Sequence, residues 1–362
     1  FIYKKNYQAK YCVGCESEKS DSELVNCECP DHPGRPLEII EEENYFFKYS
    51  AFGDKLLNFY KDNPDFVIPD FRFNEIKAFV ERGLQDFSIS RLKSKMPWGI
   101  EVSGDEDHVM YVWFDALTNY ISTLGWPDDL ENFEKYWENG TPTQYCGKDN
   151  LRFQSAMWQA MLMAADLPNS HQIIINGFIT GDGGIKMSKT LGNVVDPKEI
   201  VAEYGIDALR YFLLREVSSF EDSPFTIERF KEAYNSGLAN GIGNLTSRII
   251  KMAETNLSAP VVVDDFSFYI EIKNEIEDFN LKNAMDLIWG RISNLDEVIQ
   301  KEEPFKLVKV DPEKGKEIIK NLVLDLFRIS KLLEPFMPET SIKIQEAVKA
   351  NKISTPLFLR KE

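Results

Sequence analysis

The period of the apolar residues changes once along this chain, and that change limits the folds open to it. From about residue 96 to 225, short apolar runs alternate with helix-like stretches. Val109-Met110-Tyr111-Val112-Trp113-Phe114 reads as a buried strand and Asp115 to Leu124 as helical. Gln144-Tyr145-Cys146 reads as a second strand, about Leu151 to Ala165 as a helix, and Ile173-Ile174-Ile175 as a third strand ending at Asn176-Gly177. Such alternation predicts a parallel sheet with ligands at the C-terminal ends of its strands. After about 226 the strands stop. Leu238, Ile242, Leu245, Ile249 and Met252 step by four and three, as do Leu281, Met285, Ile288, Ile292, Leu295 and Ile299, then Leu322, Leu326, Ile329 and Leu333. These are amphipathic helices suited to an antiparallel bundle. The expected fold class is therefore α/β followed by all-α, with a boundary near Ser223-Pro224.

Upstream, residues 1 to about 48 read as short strands around a cysteine cluster. Residues 49 to 95 read as helical and connective, with Phe52, Leu56, Leu57 and Tyr60 on one face and Ile76, Phe79, Val80 and Leu84 on another. Three segments result: 1–95, 96–225 and 226–362. An apolar fraction of 43% fits a folded protein. No apolar stretch reaches the roughly 20 residues that span a bilayer. Nothing suggests secretion, and the expected setting is cytoplasmic, with an organelle as the alternative. The net charge of -17 means that a polyanionic partner would need Lys and Arg gathered locally.

Four of the five cysteines, Cys12, Cys15, Cys27 and Cys29, crowd into 18 residues, with His32 following. Zinc takes four sulfur or imidazole ligands in a tetrahedron, and Cys29-x-x-His32 mirrors Cys12-x-x-Cys15. The expected knuckle, at about 10–35, is thus Cys12, Cys15, Cys29 and His32. Cys27 is spare or a substitute ligand. A shell of four protein ligands leaves no open position for chemistry, so the zinc is structural; reduced cysteines without metal are the plainer alternative.

The third strand leads into Thr180-Gly181-Asp182-Gly183-Gly184-Ile185-Lys186-Met187-Ser188-Lys189-Thr190-Leu191-Gly192-Asn193. Its three early glycines let the backbone approach phosphates, and two lysines with two hydroxyls can neutralise a triphosphate. An ordinary glycine-rich turn with surface lysines is the bland reading. Cys146-Gly147-Lys148-Asp149 ends a strand and opens a helix; a small residue there admits a nucleoside, and the carboxylate can bridge ribose hydroxyls or simply cap the helix. In Tyr111-Val112-Trp113-Phe114-Asp115-Ala116-Leu117-Thr118-Asn119-Tyr120, the Trp, Ala and Tyr can build an apolar slot for an unbranched side chain, and aromatic faces suit a thioether. Asn244 and Arg248 lie one helical turn apart and could read base edges, although most such pairs are merely solvated.

Taken in order, these strings resemble the class I aminoacyl-tRNA synthetases, most closely the methionyl-tRNA synthetases. Lys186 to Thr190 matches their Lys-Met-Ser-Lys-Ser signature with Thr190 in the last place. Glu43-Asn44-Tyr45-Phe46-Phe47 matches the string that follows their zinc knuckle, and Gly241-Ile242-Gly243-Asn244-Leu245 their anticodon helix. The resemblance implies the second half of a Rossmann-type catalytic domain (96–225) with its lysine loop at 180–193. A zinc-knuckle connective insertion (1–95) precedes it, and a helical anticodon-binding domain (226–362) follows. It makes Lys189 the residue that stabilises α-phosphate charge and Lys186 a support for ATP. Gly147, Asp149 and Ser188 join them in binding ATP, which brings Mg²⁺. Trp113, Ala116, Leu117 and Tyr120 line the methionine slot, with Trp158 behind it. Asn150 and Gln154 stand where the family often has an apolar residue and a His. Asn244, Arg248 and Phe305, the last in place of a family Trp, meet the anticodon. Ser88-Ile89-Ser90-Arg91 also matches a family string; Arg91 faces a carboxylate or a phosphate, or makes a surface ion pair.

The implied reaction joins methionine and ATP as methionyl-adenylate, then transfers methionine to tRNA(Met). The family's His-x-Gly-His motif is not possible with His32, His108 and His171 alone. The chain is therefore expected to be inactive without an N-terminal catalytic half. Rival expectations are a valyl-, isoleucyl- or leucyl-type synthetase and a non-catalytic tRNA-binding paralogue.

Overall fold

The structure, a computed structural model, describes residues 1–15, 17–19, 24–187, 192–263 and 269–362. It divides into two compact units, Phe1–Ile175 and Asn176–Glu362. The expected boundaries at 95/96 and 225/226 fall inside these units.

The first unit opens with a long antiparallel ribbon. β1 (Ile2–Cys12) pairs with β2 (Ser17–Lys19) and with β3 (Glu38–Phe47), from Ile2↔Phe47 to Tyr11↔Glu38. Helix α1 (Gly53–Asp62), strand β4 (Val67–Ile68) and helix α2 (Asp70–Glu81) follow, burying Leu56, Tyr60, Ile76 and Val80 as their spacing predicts, and Phe73 with them. β5 (Phe87–Ser88) closes the ribbon sheet in the order β2-β1-β3-β5. β6 (Ser90–Leu92), β7 (Glu101–Val102) and β8 (Asp105–Met110) form an antiparallel sheet in the order β6-β8-β7.

The run Val109–Phe114 is therefore not one strand. Ladder pairing ends at Ser90↔Met110, one further bond from the Tyr111 N–H to the Ile89 carbonyl continues it, and the next residues turn helical. Helices α3 (Val112–Ala116), α4 (Asn119–Ser122) and α5 (Leu130–Phe133) lead to β9 (Thr143–Gly147). A π-helical turn, Phe153–Met157, runs directly into α6 (Trp158–Ala164), and β10 (Gln172–Asn176) ends the unit. The third sheet has the order β4-β10-β9, with β10 parallel to β4. Its core includes Phe52, Phe66, Leu151, Trp158 and Ile173.

In the second unit, β11 (Ile179–Thr180) pairs in parallel with β12 (Ser223–Pro224). Between them lie α7 (Pro197–Tyr204) and α8 (Ile206–Tyr211). The rest is helical: α9 (Ile227–Ala233), a π-helical stretch Tyr234–Gly243, α10 (Asn244–Asn256), α11 (Ile270–Glu277), α12 (Leu281–Glu302), α13 (Pro304–Val310), α14 (Pro312–Leu333) and α15 (Pro338–Ala350). The apolar steps read from the sequence form one core, in which Leu238, Ile242, Ile249, Ile288, Leu326 and Leu333 are buried. Side-chain caps begin three of these helices: Asp196 on α7, Thr226 on α9 and Asp311 on α14. Among the described residues no helix is long and apolar enough to cross a membrane.

Candidate metal centre and active site

The ribbon brings the cysteine cluster together. β1 ends at Cys12, and a turn in which the His32 N–H donates to the Cys29 carbonyl at 3.1 Å presents the second pair. One ligand atom from each of Cys12, Cys15, Cys29 and His32 lies within 4.8 Å of the others. Separations are 3.5 Å between Cys15 and Cys29 Sγ, and 3.7, 3.2 and 4.0 Å from His32 Nδ1 to Cys12, Cys15 and Cys29. Zinc–sulfur bonds of about 2.3 Å imply tetrahedral edges of about 3.8 Å, so this donor set fits a metal of that kind. Gly14 permits the approach, since a Cβ there would fall 2.5 Å from the His32 ring. Burial pushes the Cys15 thiol up to about 12, with Cys29 and Cys12 adding to it. On Cys12 burial also acts upward, but bonds from the Cys15 backbone and the Cys29 side chain outweigh it and leave that thiol lowered. Cys27 is exposed, has a positive φ of 63° and stands outside the group.

The aromatic string meets the helix after β9. Trp113 stacks on Phe153 with ring centroids 4.9 Å apart and planes at 23°. Gln154 Nε2 donates to the Tyr120 hydroxyl at 2.9 Å, and Tyr120 lies 6.0 Å from the Trp158 ring. Gln154 and Trp158 are buried. The π-helical turn delivers both to this place, one residue out of step with an α-helix, and the carbonyl of Ser155 in that turn accepts from the Tyr60 hydroxyl at 2.7 Å. Gln154 Oε1 is buried without a hydrogen-bond partner in the structure, an acceptor poised for a donor. Leu117 is buried, and Ala116 half-buried. Phe153 was not singled out from the sequence; an aromatic beside Gln154 was its available signal.

Gly147 ends β9 and begins the turn that holds Asp149, whose Oδ1 accepts from Asn150 Nδ2 at 3.1 Å. Asn150 thus bonds to the carboxylate beside it. Behind β9, the Gln159 amide donates to the Ser170 hydroxyl at 3.1 Å, and Ser170 donates to Gln144 Oε1 at 2.9 Å, tying the strand to α6. Burial pushes the Cys146 thiol up to about 12, with Asp149 contributing. A cleft of about 840 Å³ opens here, lined by Arg91, Tyr111, Lys148, Asp149, Arg152 and Phe153 among others. Arg91 is not on the surface. It is buried, donates to Ser88 Oγ and the Ser90 carbonyl at 2.8 Å each, and lies against the Tyr111 ring at 5.0 Å.

In the second unit, the lysine loop leaves β11 through Gly183 and Gly184, both at positive φ, and Lys186 bridges back to Thr180. Lys186 is exposed. Ser188 and Lys189 lie outside the described residues, as do Thr190 and Leu191. Asn244 is exposed at the start of α10, and Arg248, one turn on, pairs with Asp296 of α12, a partner the sequence did not suggest. Phe305 is 44% exposed on α13.

Comparison with known proteins places this geometry in a family. The profile of the tRNA synthetases class I (M) matches residues 1–250. A methionine-tRNA ligase of Caldanaerobacter subterraneus subsp. tengcongensis is 41% identical over 361 residues, covering 95% of this chain and 56% of that protein. A methionine-tRNA ligase of Brucella suis is 38% identical over 97% of this chain and 71% of its own length. Among solved structures, Mycobacterium tuberculosis methionyl-tRNA synthetase bound by methionyl-adenylate superposes with a TM-score of 0.84 at 34% identity, over 95% of this chain and 71% of that one. The chain spans just over half the length of the first curated relatives it matches. It has the class I synthetase fold, with mixed α/β and helical content, and belongs to the methionyl-tRNA synthetase family.

Proposed function

We propose that the protein to which this chain belongs activates methionine with ATP and transfers it to tRNA(Met). The observation that carries this is the constellation of Trp113 on Phe153, Tyr120 on Gln154 and Trp158 behind them, at the C-terminal end of β9. It offers flat aromatic faces and a hydroxyl to a thioether, with Ala116 and Leu117 beside them. Asn150 and Gln154 add neutral polar groups beside this apolar slot. Gly147 and Asp149 take the ribose, and Lys186, Ser188 and Lys189 the phosphates with their Mg²⁺. A carboxylate is already a nucleophile, so catalysis consists of holding it in line and neutralising phosphate charge.

ATP–pyrophosphate exchange tests this, using the chain combined with the part of a curated relative that it does not span. Methionine, valine, isoleucine and leucine are compared. Exchange with methionine alone is expected. Exchange with a branched amino acid would keep the class and remove the specificity, and tRNA binding without any exchange would favour a non-catalytic role.

The four-ligand knuckle holds one structural Zn²⁺ through Cys12, Cys15, Cys29 and His32. Because the Cys15 thiol titrates high, binding releases a proton, and affinity falls as pH is lowered. Metal analysis after dialysis should give one zinc per chain. Cys29→Ser should lose it and Cys27→Ser keep it; the reverse would reassign the ligand.

Asn244, Arg248 and Phe305 form the anticodon contact. Arg248→Ala should raise the KM for tRNA(Met) in aminoacylation about 5- to 150-fold and leave exchange unaltered. An equal loss in exchange would place Arg248 in the fold instead of the RNA contact.

A further inference from the structure

Lys186 enters its loop with its backbone held on both sides. It bridges Thr180, the Gly181 N–H donates to the Ile185 carbonyl at 2.7 Å, and Asn193 Nδ2 donates to the carbonyl of Lys186 itself at 3.4 Å. What remains free is a side chain of four torsions. Its ammonium lies 4.8 Å from the centroid of the Phe178 ring.

Phe178 is in turn fixed through its backbone. Its N–H donates to Asp222 Oδ1 at 3.0 Å, and its carbonyl accepts from the Ser223 N–H at 2.9 Å. The preceding Gly177 lets these two segments touch: a Cβ there would fall 2.2 Å from the Glu221 carbonyl. Asp222 and Gly177 therefore set where the ring stands, and the ring sets where the ammonium stands.

We propose that Phe178 is a positioning residue for Lys186, holding its ammonium in place for nucleotide phosphates, with Asp222 fixing the ring. This rests on the reading of Lys186 as a phosphate contact. An aromatic face suits the task better than a carboxylate. It attracts the cation through the ring quadrupole and leaves the three N–H donors for phosphate oxygens. A carboxylate would occupy a donor and cancel the charge. Removing the ring costs the ordering of a flexible stem, about 2- to 5-fold in phosphate affinity for an exposed pair.

The test compares Phe178→Leu, Phe178→Tyr and Lys186→Ala with the parent. Competitive acylation of the intact chain, read by mass spectrometry, gives the reactivity of Lys186 relative to exposed Lys198. Lys186 should react about 2- to 5-fold faster in Phe178→Leu, and at the parental rate in Phe178→Tyr. Equal Lys186 rates in the parent, Phe178→Leu and Phe178→Tyr would overturn the proposal. In exchange by the combined protein, Phe178→Leu should raise the KM for ATP by the same factor with kcat kept, and Phe178→Tyr should restore it. An unchanged KM in Phe178→Leu together with a raised one in Lys186→Ala overturns the positioning role alone. A KM that ignores Lys186→Ala removes the phosphate-contact reading beneath it.

Discussion

Replacing Lys189 with alanine is expected to lower methionine-dependent exchange about 100- to 1,000-fold, because a donor aimed at developing phosphate charge in a dry site is commonly worth about 3–4 kcal/mol of barrier. Lys189 itself lies outside the described residues, but the ends of its loop are within them. The Thr180–Lys186 bridge closes one side, and the Asn193 amide on the Lys186 carbonyl closes the other. The described ends of the loop therefore meet at Lys186, beside the end of β11. Lys189→Arg should recover little, since a planar fork does not replace a compact ammonium. Binding of tRNA(Met) serves as the folding control. An exchange rate within a few-fold of the parent would remove the lysine loop from the chemistry.

The sequence was most informative where one period repeats without interruption. Leu281 to Ile299 sits on α12 as its steps require, because a helix repeats the same environment every turn. It was least informative where pairing decides. Val109 to Phe114 has the composition of a strand throughout, yet its antiparallel partner β6 begins only at Ser90, and beyond Met110 and Tyr111 helical bonds replace the ladder. Composition cannot report where a neighbour stops.

The site divides in the same way. The Cys/His cluster was legible because metal-binding sets have short spacings along the chain, and the four residues do converge. The cation–ring contact of Lys186 with Phe178 and the pairing of Arg248 with Asp296 were not legible. The first pair lies across a glycine turn and the second joins two helices, so neither leaves a local pattern. Gln154 shows both sides. Its place five residues after Asp149 singled it out, but its bond to Tyr120 depends on the π-helical turn, which adds a residue that no apolar period announces.

That turn makes Trp158 the residue on which the slot and the first core both depend. The ring is 1% exposed and packs against Tyr120 at 6.0 Å and edge-on against Trp137 at 6.2 Å. Trp158→Ala should cost about 3–5 kcal/mol, the range for a large buried aromatic whose surroundings relax only partly. At about 2–4 °C per kcal/mol, Tm should fall by roughly 6–20 °C. Tyr120 would lose the surface that orients it toward Gln154, so the KM for methionine should rise as well, at temperatures where the variant is still folded. Trp158→Phe separates the two effects. The indole Nε1 has no hydrogen-bond partner in the structure, so phenylalanine removes volume without stranding a donor or acceptor. It should melt closer to the parent than the alanine variant does. Parental melting of Trp158→Ala would mean that the ring does not fill this core, and the proposed methionine slot would then lose its back wall.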